Sequence, residues 1–262
     1  MADKLLTAVC CLFLTCFLLV PKTVECAKLQ ALPLPSYIGK GCLRDDPNLN
    51  ECVVRKGAPV IERIVKGDPK YRIPKLDPLV IPAMTIQQGT KQVGLTMTCR
   101  NCELHGLRET RFVKARVDEK NRHVEWDFEL DRCMFLGQYS IAGQVLILPI
   151  KGDGTANITV NGITFTYLYD YDLAKRPNGK EYVDITKSEL KFNANGMKLK
   201  LDNLFNGDKL LGDNMNAFLN ENWRDLLKEF GPAIGDAFGT IMKNTLGSVS
   251  DLVPYDFIFP TS

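Results

Sequence analysis

Cys99 and Cys102 form a C-x-x-C, with His105 three residues on and Cys133 further along the chain. Such a set could bind zinc through three thiolates and an imidazole, or run thiol–disulfide exchange. The surroundings argue against both. Redox C-x-x-C pairs sit where a helix begins, because the helix N-terminus lowers the thiol pKa. Here Val93-Gly94-Leu95-Thr96-Met97-Thr98 alternates as a strand does. Along an extended strand the two Cα atoms stand roughly 10 Å apart, beyond disulfide reach without a bulge. Cys99, Cys102 and Cys133 are therefore read as ordinary buried thiols, with no metal. Cys42 and Cys52 flank an Asp-Asp-Pro-Asn loop and are expected to close a disulfide, whose removal costs about 2–5 kcal/mol.

Nucleophilic catalysis finds less support. The chain has two histidines, His105 and His123, the latter in an expected turn. A Ser-His-acid site needs a histidine within reach of a serine, and Ser140, Ser188, Ser248 and Ser250 stand in no motif. The G-x-S-x-G elbow, H-E-x-x-H and the P-loop are all missing. The chain is read as a non-enzyme without cofactor.

The elements that must position any site follow a leader. Lys4 precedes an apolar run from Leu5 to Val20, and Val24-Glu25-Cys26-Ala27 offers a cleavage site after Cys26. That is the pattern of a secretory signal peptide over residues 1–26, too short in its apolar part to span a bilayer. Residues 27–262 are then expected as a single secreted, extracellular domain. Four of the nine cysteines leave with the leader, and the odd number remaining implies a thiol unpaired within the chain. The net charge of +2 and the lack of a basic cluster give no footprint for nucleic acid and none for stable insertion in a membrane.

Residues 51–66 read as a short helix, stopped by Gly67, Asp68 and Pro69. From about Pro82 to Asp202 the pattern is of strands. Val124, Trp126, Phe128 and Leu130 alternate with Glu125, Asp127, Glu129 and Asp131; Ile163, Phe165, Tyr167, Tyr169 and Tyr171 repeat the pattern, as do Met197, Leu199 and Leu201. Such alternation means a sheet with one solvated face and one apolar face. Turns are expected at Gly152-Asp153-Gly154, Asn161-Gly162 and Pro177-Asn178-Gly179. From Asp208 to about Gly247 the period becomes helical, through Leu211, Met215, Phe218, Leu219, Leu226, Phe230, Ile234, Phe238 and Met242. Pro232 is expected to kink or divide that long helix. The tail 253–260 looks too proline-bound for helix.

The apolar face of a curved antiparallel sheet must be covered, and the C-terminal helix is the one partner long enough. The fold class is thus α+β, a long C-terminal helix wrapped by a highly curved sheet. Periodicity leaves open whether the interior is a filled core or an apolar tunnel.

Five segments carry a resemblance: CVVRKGAPVIERIVKGDPKYRIPKLDPLVI at 52–81, LGQYSIAGQVLILPIKGDG at 136–154, LFNGDKLLG at 204–212, AFLNENW at 217–223 and VPYDFIFP at 253–260. Together they resemble the takeout and juvenile-hormone-binding protein family of insects, over about Gly39 to Pro260. The resemblance implies the bactericidal/permeability-increasing-like super-roll and a secreted carrier of one extended hydrophobic ligand, a terpenoid hormone, fatty acid or similar lipid. With no cysteine after Cys133, the chain resembles the takeout-like branch. A monomer is expected, with a receptor that the sequence does not name. Other readings are a protein-interaction module with a solid interior and a lipid-transfer protein at membranes. The inward faces give the expected ligand-binding wall: Trp126, Phe128, Leu130, Phe165, Tyr167, Tyr169, Phe192, Met197, Leu199, Phe218, Phe230, Phe238 and Met242. Taken singly, each is read first as plain core, since apolar inward residues usually just pack. The tyrosines bring hydroxyls into an apolar wall. Asn157-Ile158-Thr159 is the one N-glycosylation sequon.

Overall fold

The structure, a computed structural model, describes residues 31–89 and 94–262. The expected leader at 1–26 lies outside the described residues; Ala31–Ser262 forms one compact unit. Its order is α1 (Leu49–Gly57), α2 (Ile61–Ile64), β1 (Leu79–Gly89), β2 (Gly94–His105), β3 (Arg111–Asp118), β4 (His123–Val145), β5 (Leu148–Lys175), β6 (Glu181–Leu201), α3 (Lys209–Glu221), α4 (Trp223–Ser250) and α5 (Tyr255–Ile258).

All six strands form one antiparallel sheet, ordered β1-β2-β4-β5-β6. Strand β4 pairs with β5 from His123↔Asp170 to Val145↔Leu148. Its other edge is shared: β3 takes His123 to Glu129 and β2 takes Met134 to Gly143. Strands this long cannot stay flat, since each adds right-handed twist, and bulges sharpen the bend. Register shifts fall between Arg100 and Glu103, Phe112 and Lys114, and Asp170 and Tyr171. The result is the expected curved sheet with the C-terminal helices against its concave, apolar face. Helix α4 comes close to β6 through small residues: a Cβ on Gly235 would sit 2.6 Å from the Leu190 carbonyl oxygen.

Several local expectations are corrected. The long helix divides at Asn222 (φ −101°, ψ 23°) and not at Pro232, which lies inside α4. The Asn222 backbone N–H and side-chain Nδ2 both donate to the Phe218 carbonyl, at 3.0 and 2.8 Å, and so satisfy the end of α3. Of the three expected turns, only 177–179 is one. Gly152, Gly154 and Gly162 lie within β5. Gly154 is there for clearance, since a Cβ would lie 2.3 Å from the Asp202 carbonyl oxygen, and Gly162 supplies a φ of +58°. The β4–β5 reversal instead uses Leu146 and Ile147, residues with no turn signature. His123 begins β4 and is no turn residue. The tail forms the single turn α5 after Pro254, a position that needs no helical N–H.

The cysteines bring the largest correction. Cys42 and Cys52 are bonded, with Cα atoms 6.0 Å apart. Cys99 and Cys102, read as free thiols, are also bonded, with Cα atoms 6.2 Å apart. The bulge between Arg100 and Glu103, with Asn101 at φ +50°, supplies the shortening that an extended strand lacks. Cys133 is the free thiol among the described residues.

Candidate functional site

Between the concave face and α4 lies an apolar cavity of about 650 Å³. The floor comes from alternate residues of β4, β5 and β6, which pleating sends to one face, and the roof from one stripe of α4. Of the expected wall, Trp126, Phe128, Leu130, Phe165, Tyr169, Phe192, Met197, Leu199, Phe230, Phe238 and Met242 line it. Tyr167 and Phe218 do not. Tyr167 pairs with Leu190, where α4 lies close against the sheet, and is fully buried off the cavity surface. Phe218 packs beside Leu219 in the cluster at the far end, and Leu219 reaches the cavity in its place.

The wall also has contributors that alternation in the strands does not reveal. Val53, Val60, Ile61, Ile64 and Val65 enter from the N-terminal helices, and Ile258 and Phe259 from the tail. The two segments are tied together. Arg44 donates to the Phe259 carbonyl through Nε (2.9 Å) and Nη2 (2.7 Å), pairs with Asp256 at 2.7 Å, and lies 4.8 Å over the Tyr255 ring. The Tyr171 and Tyr255 hydroxyls meet at 3.2 Å. Burial pushes both phenols up, so neither ionises near neutrality.

Within the wall an aromatic run continues from strand to strand. Phe112 stacks on Phe128 (4.8 Å), Phe128 on Phe165 (4.9 Å), and Trp126 meets Tyr169 edge-on at 5.6 Å. Lys56 is the one charged residue among the described lining residues. It turns its ammonium to the carbonyls of Lys40 and Gly41, the latter at 2.9 Å. Cys133 also lines the cavity, and burial pushes its thiol up to about 11.

Apart from Lys56 the described lining is uncharged, and the outer face of the sheet carries ion pairs. Arg116 pairs with Glu125 and with both Asp127 oxygens at 2.6 and 2.9 Å. His123 lies 2.6 Å from Asp170 and 3.2 Å from Glu125; hydrogen bonding to Asp170, more than any other contact, raises its pKa. His105 faces Glu103 at 2.9 Å. Neither histidine lines the cavity. Asn157 is exposed on β5 between Leu136 and Lys200, while its neighbour Ile158 faces inward. No helix among the described residues is long and apolar enough to cross a membrane.

Residues 11–260 match the family described as Haemolymph juvenile hormone binding protein (JHBP). The chain belongs to that family. Among its relatives is the circadian clock-controlled protein daywake of Drosophila melanogaster, 24% identical over 90% of this chain and 92% of that protein. The daywake of Drosophila yakuba is 24% identical over 79% of this chain and 83% of its own length. The crystal structure of Takeout 1 from Epiphyas postvittana superposes with a TM-score of 0.74 at 27% identity, covering 82% of this chain and 96% of that one. The fold, a curved antiparallel sheet around a C-terminal helix, is thereby that of the takeout and JHBP family, as the five sequence segments implied.

Proposed function

We propose that the protein is a secreted carrier that holds one extended hydrophobic molecule in this cavity. The observation that carries the reading is the cavity itself: about 650 Å³, within the roughly 300–1,000 Å³ of ligand pockets, walled by aliphatic, aromatic and thioether side chains. A filled core would leave no such volume, because interiors pack like crystals. The family description names a haemolymph hormone-binding protein, which supports both binding and secretion and agrees with the leader at 1–26. Burial of ligand chain would supply most of the affinity, at about 0.8 kcal/mol per methylene. A hydrolase needs a base at the ligand, and no histidine or carboxylate stands among the described lining residues. Occupancy of Asn157 by glycan fits its exposed position on the face away from the ligand.

The test is mass spectrometry of an organic extract of the protein secreted by eukaryotic cells, with the native intact mass beside it. One equivalent of an apolar molecule is expected. A clean extract, with no uptake of a fluorescent fatty acid by the purified protein, would replace the carrier with a protein-interaction module.

A further inference from the structure

The cations of this protein are unevenly placed. On the sheet, Arg100, Arg111, Arg116 and Arg122 each pair with a carboxylate. Residues 55–75 hold seven lysines and arginines against two carboxylates, in a chain whose net charge is only +2. Lys56 turns to the Lys40 and Gly41 carbonyls. Arg55, Arg63, Lys66, Arg72 and Lys75 are exposed, and none of them makes an ion pair among the described residues. Of the two carboxylates, Asp68 accepts from the Tyr37 hydroxyl (3.0 Å) and the Lys70 N–H (3.1 Å), which leaves Glu62.

Folding draws these charges together, although no more than two are adjacent in the chain. The Lys66 N–H donates to the Arg63 carbonyl at 3.2 Å, and the Leu76 N–H to the Val65 carbonyl at 2.9 Å. Asp68 bridges to Ile73, and a Cβ on Gly67 would lie 3.0 Å from the Lys75 nitrogen. Residues 65–76 therefore double back, with Lys66 and Lys75 on the two arms, Arg72 at the bend and Arg63 in the turn of helix before it. Like charges gathered in this way repel one another, so the surface is complementary to an anion.

The apolar residues of the segment narrow the choice of anion. Val60, Ile61, Ile64 and Val65 line the cavity, and none of the exposed large hydrophobic residues among the described ones falls within 55–75. An element that docks on a membrane buries an apolar face in it, and a protein interface has an apolar or aromatic centre. This surface offers neither. It suits a polyanion held through charge, whose oxyanions the arginine fork matches.

We infer that the exposed face of residues 55–75 binds a sulfated polysaccharide, the polyanion of cell surfaces and extracellular matrix, and so holds the protein there. This takes from the reading above that the protein is secreted, and adds a macromolecular partner to it.

The experiment passes the intact secreted protein over immobilised heparin and measures its affinity at about 0.15 M salt, where the Debye length is about 8 Å. Retention is expected there, with release as salt rises. Combining Arg63→Gln, Lys66→Gln and Lys75→Gln should weaken heparin binding on the order of tenfold. Combining Lys151→Gln, Lys187→Gln and Lys198→Gln removes the same charge from exposed positions on β5 and β6, and should change it less than about twofold. All six side chains are exposed, and melting temperatures close to the parent's check that both triple variants are folded. Equal weakening by the two triples would reduce the effect to net charge and overturn the surface. So would a parent protein that heparin does not retain, or one that binds phosphatidylserine vesicles in preference to heparin. Heparin binding is read without a ligand in the cavity, so its failure leaves the carrier standing, and a clean organic extract leaves this surface standing.

Discussion

The side chain of Asn216 and the backbone of Leu201 form a closed pair: Oδ1 accepts from the Leu201 N–H at 2.9 Å and Nδ2 donates to the Leu201 carbonyl at 2.9 Å. One helical turn on, Asn220 repeats this with Leu199, at 2.8 and 2.7 Å. Strand β6 is the end of the sheet order, and the free edge of a strand carries unpaired N–H and C=O groups. Two asparagines four residues apart on α3 supply a short substitute strand. They fix α3 to the sheet beside the cavity, whose wall contains Leu199 and Leu201.

Replacing Asn216 by Ala therefore removes both bonds to Leu201, together with a third from Nδ2 to the Gly212 carbonyl (3.1 Å), and strands two backbone groups of β6. A loss of about 1–3 kcal/mol is expected, with Asn220→Ala similar and the double variant showing coupling between neighbours. Urea titration measures it. A double variant within about 0.5 kcal/mol of the parent would mean that α3 is held by its apolar face alone.

The cavity makes an opposite kind of prediction. Met242 packs against the aromatic cluster on one side and lines the cavity from α4 on the other, so Met242→Trp adds bulk that the open side can take up. Over-packing normally costs about 1–3 kcal/mol; here the melting temperature should hold or rise, while uptake of a long-chain fluorescent probe falls several-fold. A variant that is destabilised and still takes up the probe as before would place Met242 in closed packing.

Asp77 gives a pH dependence. Its carboxylate is buried and accepts from the Gly106 N–H (3.2 Å), the Arg108 N–H (3.0 Å) and Arg108 Nε (3.0 Å). Burial alone would raise its pKa, but the bonds from Arg108 and Gly106 outweigh it, and the net shift is downward. A carboxylate lowered on folding contributes its full stabilisation above the unfolded value of about 3.9, and loses it as pH falls through the folded value. Asp77→Asn should thus cost stability at neutral pH and flatten the acid side of the stability profile. Parallel profiles for the two proteins below about pH 4 would contradict this.

Cys133 reports on occupancy. With its thiol held up at about 11, few molecules carry the thiolate at neutral pH, so disulfide reagents should react slowly with the native protein and rapidly once it unfolds. Because the side chain lines the cavity, a saturating apolar probe should slow the native reaction further. An unchanged rate would show that the bound probe leaves this part of the wall uncovered.

Much of the molecule was legible from residue order because its strands alternate. Period two fixes which side chain faces inward along each alternating stretch, so eight of the nine expected wall residues on strands line the cavity, and helical period places three of the four on helices there. The change to helical period after Asp208 marked the second layer in the same way. Alternation is a property of one strand, however, and the misses are properties of pairs of elements. Tyr167 has the right parity, yet lies beneath the point where α4 meets Leu190. Gly154 and Gly162 look like turn residues, yet one gives clearance to a neighbouring segment and the other a positive φ inside a strand. Leu146 and Ile147 carry no turn signal because the register of two long strands, and not local preference, sets the reversal.

The sequence by itself determined the apolar face of each strand, the composition of the helix that covers it, and the family to which those segments point. Only the tertiary structure decided that the interior is a cavity, because hydrophobic period records direction and not distance: the same inward residues could meet and fill it. Only the structure, too, brought Cys99 to Cys102 through a bulge, and set the Trp126 ring edge-on against Tyr169. Partners of that kind come from curvature and register between strands, which no single stretch of residues encodes.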